Sequence, residues 1–253
     1  MDFNKIYEVS SSVGYLSDRG NIREINEDYL DFYEDDNVQV YVIADGMGGH
    51  NAGDVASKTA VDSCINYIKS LEKIHEDDLE KVLRDAVAYA NGIIYEKSKV
   101  SENLNGMGTT ITVCLIKQNE VAIANVGDSS CFSIDNRGIE KITKDHSLVQ
   151  ELIDDGSITE QEALRHPNKN IITRALGTRK TVDIDIFQRK KYEIQKIILC
   201  TDGLTNEVNK NEMYDIILKN NNKESCKMLV QAAKNKGGRD NISVIVVGGV
   251  CKK

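Results

Sequence analysis

The chain has no tryptophan, one proline and four histidines, and its six cysteines show no paired spacing. Each scarcity excludes something. A single proline, Pro167, among 253 residues leaves no proline-rich linker to divide the chain. Without a histidine–cysteine cluster there is no zinc site to expect. Cys114 and Cys200 fall inside strand-like runs, where cysteine behaves as a small hydrophobe, and the set reads as that of a reduced, intracellular protein. Residues 1–20 lack the apolar core of a signal peptide, and no apolar run approaches the roughly 18 residues needed to cross a bilayer. Positive charge is short as well: 32 Lys and Arg against 40 Asp and Glu leave a net charge of −8, which repels a phosphate backbone. Nucleic acid and membrane are therefore not expected partners, and a cytoplasmic location is.

What is present is enough for one sizeable core, since 40% of the residues are hydrophobic. The stretch Ile43-Ala44-Asp45-Gly46-Met47-Gly48-Gly49-His50 organises the chain. It follows the strand-like run 38–42 and precedes a helical pattern from near Asn51, marked by Val55, Ala56, Thr59, Ala60, Cys64, Ile68 and Leu71. A second helix is expected over residues 79–94, capped by Asp77 with Glu80. Strands are expected at 111–117, 120–126, 130–134, 194–200 and 242–247, and further helices at 211–218 and 224–235. Short turns force consecutive strands to pair antiparallel, which suggests a two-sheet sandwich with helices on its outer faces. Residues 144–178 lose sheet character, carry a capping box at Thr159 and Glu162, and read as a helical insertion near a site.

Carboxylates recur where apolar strands end. Asp45, Asp128 and Asp202 each follow such a run, Asp240 precedes one, and each has a glycine within three residues. Singly, each is an ordinary turn former. Together they favour a cleft in which cations offset the repulsion of converging carboxylates. Oxygen donors, including the Gly46 carbonyl, select Mg²⁺ or Mn²⁺. Two such ions can hold a bridging hydroxide and polarise a phosphoryl group for in-line attack. That chemistry also needs a planar cation for the other phosphate oxygens, and Arg23 is the candidate.

Six motifs occur in order: Asp18-x-Gly20-x-x-Arg23-x-x-Asn26-Glu27-Asp28, Asp45-Gly46-Met47-Gly48-Gly49-His50-x-x-Gly53, Gly106-x-Gly108-Thr109-Thr110, Gly127-Asp128-Ser129, Thr201-Asp202-Gly203-Leu204 and Asp240-Asn241. From about Gly14 to Val247 the chain resembles the metal-dependent serine/threonine phosphatases, the PPM or type 2C family, in their compact bacterial branch. The resemblance implies an α+β fold, a four-layer αββα sandwich of two mainly antiparallel sheets flanked by helix pairs. It also implies one domain over residues 1–253 with a flap-like insertion at about 144–178. The implied activity is hydrolysis of phosphoserine and phosphothreonine by a water or hydroxide held between two Mn²⁺ or Mg²⁺ ions, without a phosphoenzyme. Asp45 matches the bridging ligand, Gly46 a carbonyl ligand, Asp202 and Asp240 ligands of the first ion, and Asp128 a carboxylate that helps hold a third, weaker ion. Arg23 matches the phosphate-binding arginine, and Glu27 and Asp28 would act through metal-bound water. The branch implies phosphorylated proteins as partners, including a cytoplasmic Ser/Thr kinase and its substrates. A monomer is expected, because no heptad seam or long unpaired apolar face is visible.

Two positions depart from the family pattern. Met47 replaces the histidine proposed as leaving-group acid in the animal enzymes, so no general acid is assigned, and Ser130 replaces the arginine usual after Gly-Asp-Ser. Two rivals share the fold: a non-catalytic binding protein, whose mark would be a lost ligand, and a phosphatase dedicated to one regulatory phosphoprotein. All the ligand positions are filled, and nothing in the chain suggests a dedicated sensor. A cysteine-based Cys-x5-Arg phosphatase loop is not expected. His146 reads as a structural histidine, His50 as a helix-capping one, and the Thr109–Thr110 pair as a strand start whose hydroxyls could support the cleft.

Overall fold

The structure, a computed structural model, describes residues 13–48, 52–75, 78–100 and 102–248. Gly49, His50, Asn51 and the Asp77 cap lie outside them. One sheet is built from β1 (Val13–Asp18), β7 (Ser130–Asp135), β8 (Gly138–Lys141), β10 (Lys196–Cys200) and β11 (Ile242–Gly248), in the order β1-β11-β10-β7-β8. The other runs β2 (Asp28–Glu34), β3 (Gln39–Met47), β5 (Ile111–Lys117), β6 (Glu120–Val126), β9 (Asp185–Lys190), with the short β4 (Gly108–Thr109) paired to β3. Every pairing is antiparallel.

The layers follow from the period-two geometry of strands. In β3, Val40, Val42 and Ala44 face α1 (Ala52–Ser70) and α2 (Leu79–Val100), while Tyr41 and Ile43 face the opposite sheet. In β11, Ile242, Val244 and Val246 pack under α6 (Lys210–Lys219) and α7 (Asn222–Asn235), while Ile245 and Val247 face inward. The result is helices, sheet, sheet, helices, the expected αββα order. Local chemistry sets the helix starts: Asn209 and Asn221 each accept the backbone N–H three residues on, and Glu212 returns the bond in a capping box.

Two expectations need correction, and one strand was not expected. Asp45 does not terminate its strand: β3 runs on to Met47 and changes partner, from β5 up to Ile43 to β4 at Gly46. The edge strand β9 was invisible in the sequence, because its alternation is blurred by Asp185, Arg189 and Lys190 and only its partner β6 holds it. The strand expected at 194–200 starts only at Lys196, preceded by a 3₁₀ turn over Lys191–Glu193.

Residues 144–178 hold two short helices, α3 (Leu148–Asp154) and α4 (Glu160–Ala163), the latter with the Thr159–Glu162 capping box in place. Ala163 is the only buried residue of the two helices. The segment is closed on itself by an antiparallel bridge from Ser147 to Ile172 and tied to the body by one from Leu176 to Thr109.

The inner layer should dominate stability. Ile123, fully buried between the sheets, should lose about 2–5 kcal/mol on replacement by Ala. Leu218→Ala, at a side chain 52% exposed on α6, should stay within about 0.5 kcal/mol. Urea unfolding monitored by circular dichroism would distinguish the two; equal losses would contradict this layering.

Candidate metal centre

Strand periodicity carries the acids inward. Asp45 continues the Tyr41–Ile43 parity of β3 and pairs across the ladder with Asp28 on β2. Asp202 opens α5 (Asp202–Thr205) directly after β10, and Asp240 lies just before β11, the neighbour of β10. Asp128 occupies the bend between β6 and β7, where Gly127 takes φ +105°. The structure thus brings Asp45, Gly46, Asp128, Asp202 and Asp240 to one end of the sandwich, with Asp28 among them. Arg23 reaches the same place from the loop after β1, its Nη2 lying 2.8 Å from Asp240 Oδ2.

Glycine permits the close approach. A Cβ on Gly46 would stand 2.0 Å from the Gly53 carbonyl oxygen and 2.6 Å from that of Glu27, and the Gly46 N–H donates to the latter at 3.1 Å. These are backbone atoms, so no side-chain adjustment relieves the clash.

Burial and mutual repulsion shape the electrostatics. Burial pushes Asp28 up to about 7, with Asp202 and Asp240 adding to it. Asp128 is pushed up to about 8 by burial and then by Asp202, and Asp202 to about 6 by burial and then by Asp240. Asp45 is raised well above its ordinary value, again by burial first and then by Asp28, Asp202, Asp128 and Asp240. Asp28 Oδ2 accepts bonds from the Thr201 and Ser243 hydroxyls at 2.8 and 2.7 Å. Asp28 Oδ1 and Asp202 Oδ1 have no donor, and among the described residues they are the only buried side-chain polar atoms left so.

No three His, Cys, Asp or Glu side chains among the described residues converge into a closed metal cage. The all-oxygen donor set and its two orphaned carboxylate oxygens nevertheless fit hard divalent cations, which would satisfy those oxygens and neutralise the repulsion. A pocket of about 290 Å³ lies elsewhere, lined by Tyr33, Val38, Lys69, Ile74 and Lys117, and shares no residue with the acidic centre. Orphaned charge, rather than empty volume, marks the site.

Supporting residues hold the loops. Thr110 Oγ1 accepts the Asp45 N–H at 2.9 Å and meets Ser129 Oγ at 2.8 Å, joining the β3 and β6–β7 bends. Asn241 donates to the Arg19 and Ile25 carbonyls at 3.1 and 2.9 Å and accepts the Glu27 N–H at 2.9 Å, fastening the Arg23 loop to the start of β11. His146 is the structural histidine expected: its Nδ1 accepts the Gly127 N–H at 3.1 Å, and Nε2 lies 3.1 Å from Asp185 Oδ2. The sequence reading passed over Ser243, although a hydroxyl in an otherwise apolar strand was the available signal.

One Cys-x5-Arg spacing does occur, Cys131 to Arg137, against expectation. It forms no phosphate loop. Cys131 is fully buried between the sheets with its thiol held well above the usual range by burial, while Arg137 is an exposed turn residue paired with Asp135.

The model of one family, described as Protein phosphatase 2C, matches residues 21–235. The chain belongs to this family. It is 39% identical over 236 residues to the serine/threonine phosphatase stp of Listeria welshimeri, covering 92% of this chain and 94% of that protein. Among solved structures, serine/threonine phosphatase Stp1 from Staphylococcus aureus superposes with a TM-score of 0.89 at 36% identity, over 93% of this chain and 94% of that one. The catalytic domain of the phosphatase PstP in complex with two manganese ions gives 0.81 at 32% identity, over 93% and 96%. Within this phosphatase 2C chain the paired sheets and the position of the acidic centre between their ends follow one another as described.

The carboxylate shifts carry a sign. Asp28 and Asp128 keep protons in the folded chain that an unfolded carboxylate, near 3.8, has lost. By linkage, stability of the cation-free protein falls as pH rises from about 4 to about 8, and the full penalty applies above that. Asp28→Asn removes one such charge while leaving an oxygen for Thr201 and Ser243. In chelator it should therefore raise the thermal midpoint at pH 8 and leave it near wild type at pH 5; equal effects at both pH values would refute the assignment.

Proposed function

We propose that the acidic centre holds two divalent cations and hydrolyses phosphoserine and phosphothreonine monoesters in proteins. The chain is a serine/threonine protein phosphatase, and phosphorylated proteins are its substrates. The observation that carries the metal reading is the pair of orphaned oxygens on Asp28 and Asp202 inside a cluster of mutually repelling carboxylates.

In this reading Asp45, the Gly46 carbonyl, Asp202 and Asp240 would hold the two core ions, Asp202 and Asp240 serving the first, and Asp128 would help hold a weaker third. Mn²⁺ or Mg²⁺ suits these donors. Bound there, the ions supply the nucleophile by lowering the pKa of a water molecule and polarise a phosphoryl oxygen. Arg23 grips the remaining phosphate oxygens. Its pairing with Asp240 is half-exposed, an interaction worth about 0–1 kcal/mol, so a dianionic phosphate can compete for the guanidinium. Asp28, held at Oδ2 by Thr201 and Ser243, leaves its buried Oδ1 without a donor. No side chain is assigned to protonate the leaving group, since Met47 offers no proton.

The same reading takes residues 1–253 as one phosphatase domain whose insertion at about 144–178 forms a flap beside the site. The bridge from Leu176 to Thr109, which ties the insertion to the body, supports this. Among the described residues no helix is long and apolar enough to cross a membrane. The reading also takes the enzyme as a cytoplasmic monomer acting on a Ser/Thr kinase and its substrates; the net charge of −8, which repels a phosphate backbone, supports protein rather than nucleic acid as its partner.

Hydrolysis of a phosphothreonine peptide should require Mn²⁺, vanish in chelator and fall by orders of magnitude in Asp202→Ala. Tight Mn²⁺ uptake with no hydrolysis in any of these conditions would replace the enzyme with a regulatory binding protein.

A further inference from the structure

We infer that Asn206 is the positioning residue of Asp202, and that Lys169 determines which way its amide faces; the inference rests on the metal reading above. Asn206 lies one turn after Asp202 at the end of α5, where its backbone N–H donates to the Asp202 carbonyl at 2.8 Å. Its Nδ2 donates to Asp202 Oδ2 at 3.0 Å. A carboxamide can turn either way, and its oxygen would repel the carboxylate if it faced Asp202. Lys169 removes that choice. An ammonium has donors only, and Lys169 Nζ lies 3.0 Å from Asn206 Oδ1, so the amide nitrogen is left for Asp202.

The consequence is an asymmetric carboxylate. Asp202 Oδ2 is satisfied, while Oδ1 is buried and without a donor, which is how a ligand is presented to a cation. Lys169 belongs to the 144–178 insertion and lies just before Ile172, the residue bridged to Ser147. The placement of that segment and the affinity of Asp202 for a cation are therefore linked through one amide, and linkage of this kind acts in both directions. Asn206 is exposed and Lys169 half-buried, so removing either side chain leaves the core intact.

The test is Mn²⁺ binding to the full chain by titration calorimetry, for wild type, Asn206→Ala, Lys169→Ala and the double variant. Asn206→Ala should weaken binding about tenfold. The Mn²⁺ concentration for half-maximal turnover of a phosphothreonine peptide should rise by the same factor, with KM for the peptide at saturating Mn²⁺ unmoved. Its thermal midpoint in chelator should match wild type, which separates positioning from misfolding. Loss of the Lys169 charge by itself favours a cation, so the background decides the reading: Lys169→Ala should be at least about threefold less favourable to Mn²⁺ when Asn206 is present than when it is Ala. Unchanged Mn²⁺ affinity in Asn206→Ala overturns the inference and leaves the metal reading standing. Equal effects of Lys169→Ala in both backgrounds overturn the part assigned to Lys169. Wild-type protein that takes up no Mn²⁺ overturns the metal reading, and this inference with it.

Discussion

Asp28, Asp45, Asp128 and Asp202 stand where burial and one another's charge all oppose ionisation, at the end of two packed sheets. A cluster of this kind cannot be a source of stability: removing carboxylates from water is unfavourable, and their mutual Coulomb term has the wrong sign. The rest of the molecule is arranged so that this strain is held in place. In the proposed reading, divalent cations would relieve it, and the same cations would supply the phosphatase chemistry. Folding and function therefore meet at one electrostatic constraint.

Holding the cluster requires backbone to pass close to backbone. Gly46 lets the end of β3 lie against Gly53 and Glu27, and Gly203 lets α5 begin against the Asn241 carbonyl, 2.0 Å from where a Cβ would be. Around these contacts the polar partners are neutral: Thr110 accepts the Asp45 N–H and meets Ser129 Oγ, Thr201 and Ser243 donate to Asp28, and Asn241 accepts the Glu27 N–H, none of them adding charge. Hydroxyls and amides suit this purpose because they can satisfy a carboxylate oxygen without neutralising the charge that attracts the cations.

The two sheets contribute unequal parts. β2, β3 and the β6–β7 bend bring Asp28, Asp45 and Asp128, while β10 and β11 bring Asp202 and Asp240. Packing of the inner layer, Tyr41, Ile43 and Ile123 against Cys131, Leu199 and Ile245, sets the distance between these groups. Rigid aliphatic contact far from the chemistry thus keeps the carboxylates opposed.

Much was legible in the chain itself. Strand periodicity marked β5, β6, β7 and β11 within a residue or so, because each is apolar on both faces and bounded by turn residues. Ordered motifs named Arg23, Asp45, Gly46, Asp128, Asp202 and Asp240, since carboxylates at strand ends beside glycine leave a local trace. β9 left none, being an edge strand with charged ends that exists only because β6 pairs with it. The change of partner within β3 at Gly46, the orphaned oxygens of Asp28 and Asp202, the Arg23–Asp240 pair and the link from Lys169 through Asn206 are equally silent in sequence. Sequence determined which groups are acidic, which strands are apolar and where the turns fall, because those are properties of single residues and their spacing. Tertiary structure alone decided which oxygen of Asp28 is satisfied and which is left without a donor, because that depends on donors brought together from 173 and 215 positions away along the chain.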